Sequence, residues 1–379
     1  MHLAAKRLFS IAILTLFAVS CAAAPAPTPS PPPKAGTTAA PTKAPEPAKT
    51  AAAPTAAPAK PTAAPKAVAP KPKTLSKVKV AYTSVSGNYV PVWIAKEEKL
   101  FEKYGLDVDL TFISSSTTAL NALVSGEVPI VHGSAVPMIS AAVGGTDVQI
   151  VASLFNTVIM YLMVTPDING PQDLKGKALG VSRLGSLTDI ALRYALRKLG
   201  LDPDKDVTIM QVGGVAEILA GMKTGGIAGG TLSSPTDLMA RAEGFKELVD
   251  VAQAGIQYPG TTIGTTRRFI QSNGPVVENF LRAIIEGTYM YKANRELSMK
   301  IIGQYTKTDD PKIQEATWKS YSAKVEKIPY PTREAMQVGI DEVAASNEKA
   351  KGKSPDDFMD LQFVKKLESS GFIKQIHKE

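Results

Sequence analysis

From residue 76 onward, hydrophobic and polar positions fall into short alternating runs separated by longer runs with helical spacing. Val78 and Val80 alternate with Lys77 and Lys79, and Ala81 and Tyr82 follow, which predicts a strand with one buried face. Ser84, Ser86, Gly87 and Asn88 make a turn-rich loop. Pro91 suits a first helical turn, and Val92, Trp93, Ala95, Leu100, Phe101 and Tyr104 then give an apolar side that Gly105 ends. Trp93, among Ala95 and Leu100, is expected to pack in the core. Leu106, Val108 and Leu110 alternate again. Strand, polar loop, helix and strand in this order normally give a parallel pair.

The alternation of elements continues. Residues 111–113 end the second strand, and Ser116 or Thr117 can cap a helix with Leu120, Leu123 and Val124 on one side and Gly126 at its end. Ile130 and Val131 read as a strand leading into His132, Gly133 and Ser134. Ile139, Ala142 and Val143 mark a short helix closed by Gly144 and Gly145, and residues 148–154 are of strand type. Further strands are expected at 160–164, 178–181 and 207–210, with helices carrying Ile190, Ala191, Tyr194, Ala195 and Leu199, and then Ile218, Leu219 and Met222. Residues 225–230 are unusually rich in glycine. Pro275 begins an amphipathic helix with Val277, Phe280, Leu281, Ile284 and Ile285 inside and Glu278, Arg282 and Glu286 outside.

The first 75 residues are of another kind. Lys6 and Arg7 precede an apolar run over 8–19, too short for a comfortable membrane span and suited to a secretory signal over 1–21. Residues 22–75 are almost wholly Ala, Pro, Thr and Lys, a composition that cannot offset ordering entropy and is expected to stay disordered as an extended tether. At about 3.1 Å per residue its reach exceeds roughly 100 Å. This segment also changes the reading of charge. The chain has 43 Lys and Arg against 35 Asp and Glu; the leader holds two of the basic residues and the tether seven, against the single Glu46. The remainder carries 34 of each sign, so the overall basicity gives no reason to expect nucleic acid as a partner.

Several stretches resemble the solute-binding proteins of ABC importers for nitrate, sulfonate, taurine and thiamine-precursor pyrimidines. Residues 89–109, YVPVWIAKEEKLFEKYGLDVD, look like the family's first helix and following strand, with Lys99 in place of its usual Gly. Residues 125–128 (SGEV) and 149–153 (QIVAS) match two more of its motifs, with Pro129 where Asp is usual. Residues 170–181, GPQDLKGKALGV, are the most recognisable match; residues 226–235 lack the acid and bulky strand residues expected there. The resemblance covers about residues 76–379. It implies an α/β fold of two Rossmann-like lobes joined by a two-crossing hinge, the type II periplasmic-binding-protein architecture, with lobe 1 over 76–163 and 262–379 and lobe 2 over 164–261. It also implies hinge closure around a small-molecule ligand, an ABC transporter permease as partner, a monomeric chain and no cofactor. Residues 18–21 resemble a bacterial lipobox, with Ala18 where Leu is preferred; Cys21 is then a lipid anchor holding an exported protein to the membrane. Ordinary cleavage near residues 22–24 is the alternative.

Enzymatic chemistry has little to work with. Cys21 is the only cysteine, and beyond it only His132 and His377 supply imidazole, so no His/Cys metal site can be assembled and no metal is expected. A catalytic member of the same superfamily, pyrimidine-synthase-like or desulfinase-like, would have to rely on His132. A ligand-sensing lobe for a membrane receptor is a further alternative. Binding has more candidates. Ser84, Asn88, Tyr89, Ser114, Ser115, Gly133 and Ser134 fall at strand ends of the first lobe, and Arg183, Gly185, Ser186 and Thr188 at those of the second. Hydroxyls, backbone N–H groups and one guanidinium converging on a crevice suit a carboxylate, sulfonate or nitrate. For the serines, turns and caps are the competing explanation; for Arg183, an ordinary surface position.

Overall fold

The computed structural model describes residues 74–254 and 256–378; the leader, Cys21 and the tether up to residue 73 lie outside them. Ten strands are present among these residues: β1 (Ser76–Tyr82), β2 (Leu106–Phe112), β3 (Ile130–Gly133), β4 (Val148–Thr157), β5 (Tyr161–Val164), β6 (Ala178–Val181), β7 (Thr208–Gln211), β8 (Gly229–Leu232), β9 (Lys246–Asp250) and β10 (Gln257–Thr266). They form two sheets with orders β2-β1-β3-β10-β4 and β7-β6-β8-β5-β9. In the first, β1 is parallel to β2 and β3, and β10 is antiparallel to β3 and β4. In the second, β6 is parallel to β7 and β8, and β5 is antiparallel to β8 and β9. The two sheets share one plan. In each, the antiparallel strand is the one by which the chain arrives from the other sheet. The crossings are short, residues 158–160 and 251–256.

Local sequence accounts for most of this. In β1, Val78 and Val80 are buried and Lys77 and Lys79 exposed, the period of two that marks a strand with one face inward. The first helix runs Val90–Glu97, with Pro91 in its first turn and Trp93 fully buried against Tyr305, ring centroids 4.5 Å apart. It then stops at Lys99, which sits in the left-handed region (φ 55°), before a second short helix, Leu100–Lys103. The glycine that the family resemblance places at this position is thereby explained: only glycine adopts that conformation without a steric penalty.

The glycine-rich stretch also has a packing reason. Gly229 and Gly230 lie in β8, at the centre of the second sheet. A Cβ on Gly229 would come to 2.6 Å from the Met163 carbonyl oxygen, and one on Gly230 equally close to the carbonyl oxygen of Gly180 and to Ile218. The bulky strand residues expected here are absent because β6 and the helix Val215–Lys223 close tightly on this strand.

The helix Arg267–Ala293 kinks at Asn273, two residues before Pro275, and buries the expected face: Val277, Phe280, Leu281, Ile284 and Ile285. Its other face is less open than the pattern implied. Glu278 pairs with Arg282 of the same helix and with Lys366 of the helix Gln362–Ser369, and Glu286 pairs with Lys103 and Tyr104 at the end of Leu100–Lys103; the helix Phe372–His377 packs on the long helix as well. Gly371, with φ 76°, divides the helices Gln362–Ser369 and Phe372–His377. Among the described residues no helix is long and apolar enough to cross a membrane.

Replacing Lys99 by glycine should relieve the left-handed strain and raise unfolding free energy by about 1 kcal/mol. Urea unfolding checks this. An unchanged or lowered midpoint for Lys99→Gly would contradict the strain argument.

Candidate ligand-binding cleft

A cavity of about 110 Å³ lies between the two sheets. Its first-lobe wall is built from the segments that follow β1 and β2, from the end of β4, from Thr261 of β10 and from Tyr321. Its second-lobe wall comes from the segments after β6, β7 and β8. Ligands of open α/β sheets sit at such strand ends, where helix starts present unbonded N–H groups. Three helices begin here: Ser116–Ser125, capped by Ser115, Leu187–Lys198, capped by Ser186, and Val215–Lys223, capped by Gly214. All three cap residues are on the wall.

Most wall hydroxyls are fixed by one another. In the first lobe, Thr83 Oγ1 is 2.7 Å from the Tyr89 hydroxyl and 3.1 Å from Ser116 Oγ. Asn88 accepts from Ser86 and donates to Thr261 Oγ1 at 2.6 Å, tying the loop after β1 to the returning strand. In the second lobe, Ser182, Ser186 and Thr188 form a triangle of hydroxyls 2.8 to 2.9 Å apart, and the Ser182 amide donates to Thr188 Oγ1. Ser233 Oγ is buried without a hydrogen-bond partner, and the less buried hydroxyls of Ser84, Ser114 and Thr157 are not tied to one another. Phe112, Phe155, Ile159, Met160 and Leu187 supply apolar surface. The lobes touch around the cavity. The Gly87 amide donates to the Ser234 carbonyl at 3.0 Å, and Thr117 Oγ1 to the Leu184 carbonyl at 3.4 Å.

Of the residues singled out from sequence, Ser84, Asn88, Tyr89, Ser114, Ser115, Ser186 and Thr188 are on the wall. Four are not. Gly133 and Ser134 lie one layer behind: a Cβ on Gly133 would meet Thr83 and Ser116, and the Ser134 amide donates to Ser116 Oγ at 3.1 Å. Arg183 and Gly185 are exposed on a loop that turns outward, with the Gly185 amide held by Asp189 at 2.8 Å. The Arg183 carbonyl accepts from Ser186 Oγ at 2.7 Å, while Arg183 itself is exposed and not among the residues lining the cavity. The sequence reading passed over Thr83, Ser182, Ser233, Thr261 and Glu217 as site residues, all on the wall. Thr83, Ser182 and Ser233 directly follow the strands β1, β6 and β8, and that position was the available signal.

A family sequence model described as NMT1-like matches residues 71–303, well over half of the chain. The chain belongs to the NMT1-like family. Similar proteins of known name agree with a binding-protein fold. YtlA of Bacillus subtilis is 26% identical over 249 residues, covering 64% of this chain and 75% of that one. The formylaminopyrimidine-binding protein of Halalkalibacterium halodurans is 23% identical over 248 residues, covering 63% and 74%. Among solved structures, the alkanesulfonate-binding protein SsuA of Xanthomonas axonopodis pv. citri, bound to MOPS, superposes with a TM-score of 0.63 at 18% identity, covering 76% of this chain and 96% of that chain. This NMT1-like chain has the two-lobed fold of periplasmic binding proteins of the sulfonate, nitrate and pyrimidine type.

The one histidine considered for catalysis is off the wall. His132 lies in β3, fully buried, its ring 4.8 Å from that of Tyr89 and neither nitrogen hydrogen-bonded. Loss of hydration holds its pKa down at about 3. It is therefore neutral in the folded state at any pH above that, whereas in the unfolded chain it takes a proton below about 6.5. Below 6.5 the unfolded state binds the extra proton, so stability falls with acid from there toward pH 3. The slope is on the order of 1.4 kcal/mol per pH unit. Urea unfolding of wild type and His132→Leu at pH 7.5 and 4.5 should show wild type losing about 2–3 kcal/mol more than the variant. Parallel losses would contradict the neutral buried assignment.

Proposed function

We propose that this chain is the extracytoplasmic solute-capturing component of an ABC importer. It takes up a small solute by hinge closure and hands it, unchanged, to a membrane permease. The observation that carries this reading is the cavity between two like lobes, bounded by three helix starts and a lining of hydroxyls. A ligand held there touches both lobes at once, so its binding free energy favours the closed form. In the open form the same groups face water. Names of similar proteins include binders of formylaminopyrimidine and of alkanesulfonate, which keeps the proposed cargo among small polar organic molecules.

The reading without turnover is supported by the inventory of reactive groups. The chain past residue 21 has no cysteine, His132 is buried away from the wall, and among the described residues no group of three or more His, Cys, Asp or Glu side chains is placed to hold a metal. Export and anchoring complete the proposal. Residues 1–21 direct secretion, Cys21 carries the lipid, and residues 22–75 let a monomeric folded part range above the membrane to meet its permease.

Thermal unfolding of the full chain against nitrate, MOPS and other alkanesulfonates, a formylaminopyrimidine and a protein-free small-molecule extract tests this. A solute at a hundred times its Kd adds about 2.7 kcal/mol of stability and should be recovered unaltered after incubation. Chemical conversion of the bound solute, or no shift from any addition, would contradict the proposal.

A further inference from the structure

We propose that the cleft selects an uncharged solute with an apolar body, and that the Ser233 hydroxyl reads one hydrogen-bond acceptor on it. This rests on the solute-capture reading and adds the chemical class of the solute. The charges on the wall come first. No Lys, Arg or His lines the cavity, and the one carboxylate there is that of Glu217, exposed and without an ion pair among the described residues. Arg183, expected to meet an anion, is exposed and does not line the cavity. An anion drawn out of water into this space would give up its hydration with no cation to replace it.

Helix starts are the usual substitute for a cation. In the second lobe they already have negative partners. Asp189 lies in the first turn of Leu187–Lys198, is 4% exposed and takes the Gly185 amide. Glu217 lies in the first turn of Val215–Lys223. Asp189 also pairs with Arg193, and the first-lobe start Ser116–Ser125 has no acidic residue in its first turn, so the carboxylate that a solute anion meets on the wall is that of Glu217. A cation would meet the start of Ser116–Ser125 in the first lobe, whose first turn carries no acidic residue.

The remaining hydrogen-bonding capacity lies with the half-buried hydroxyls of Ser84, Ser114 and Thr157 and, fully buried, with Ser233. Ser182, Ser186 and Thr188 satisfy one another, as do Thr83, Tyr89 and Ser116. Ser233, only 4% exposed directly after β8, is on the cavity wall, and its Oγ is buried without a partner. A buried hydroxyl left unbonded is costly, so a solute acceptor placed there gains more than it would in water, and an analogue lacking it is rejected. Phe112, Phe155, Ile159 and Met160 leave apolar surface for the rest of the solute.

The test splits a protein-free small-molecule extract at pH 7.5 on anion and cation exchangers and measures the melting shift of the full chain with each fraction. The matched pairs benzamide and benzoate, and benzenesulfonamide and benzenesulfonate, are titrated alongside. The unretained fraction should carry the shift, with little change on added salt, and no charged member of a pair should bind more tightly than its neutral partner. Ser233→Ala and Ser233→Cys, the latter a weaker donor of similar size, should each require about tenfold more of the unretained fraction for half the shift, while Arg183→Ala leaves it unchanged. A shift retained on either exchanger, a tighter-binding anion, or a tenfold loss in Arg183→Ala overturns the uncharged class and leaves solute capture standing. Unaltered binding by both Ser233 variants overturns its role. No shift from any fraction overturns this inference and the solute-capture reading together.

Discussion

Each lobe is completed by a strand that arrives from the other. β10 enters the first sheet between β3 and β4, and β5 enters the second between β8 and β9, so both are hydrogen-bonded on two sides. A strand bonded on both edges cannot give way without breaking two ladders. The two sheets are joined only through residues 158–160 and 251–256, so the proposed closure would bend there and leave the sheets intact. Everything functional follows from this restriction. It places the carboxyl ends of two sets of strands around one space, and it makes the separation of those ends the soft coordinate of the molecule.

That space is finished with hydroxyls and apolar side chains. Serine and threonine suit it because they orient one another without bringing in net charge. The triangle of Ser182, Ser186 and Thr188 and the chain from Ser86 through Asn88 to Thr261 set the wall before any solute arrives. Preset polar groups reduce the ordering cost of binding. Hydrogen bonds from Gly87 to Ser234 and from Thr117 to Leu184 join the lobes beside the cavity.

Much of the fold was legible because its elements obey simple periods. Val78 and Val80 gave β1, and Val277 through Ile285 gave the inner face of the long helix. The order of motifs pointed to two lobes, and the family match and fold agree with it. What escaped depended on contacts distant in sequence. Residues 225–230 looked irregular because their glycines make room for β6 and Ile218, which no local pattern records. Lys99 stood out in the sequence only as a replacement for the family's glycine, yet it holds a left-handed turn. In the site, strand ends located Ser84, Asn88, Ser114, Ser186 and Thr188 on the wall. The same rule misplaced Gly133 and Ser134, since Thr83 and Ser116 lie over the end of β3. Arg183 drew attention by its charge, but Gly185 and Asp189 turn that loop outward. Ser233 was overlooked inside the stretch that read as irregular.

The central claim is that two rigid lobes close on a solute. Spin labels at Val124→Cys and Met210→Cys, exposed positions on the helix Ser116–Ser125 and on β7, report the separation of the lobes once Cys21 is replaced by serine. Pulsed electron resonance should give a broad or two-part distance distribution in the free chain, and a single shorter one with saturating solute. A distribution that is the same with and without solute would contradict closure.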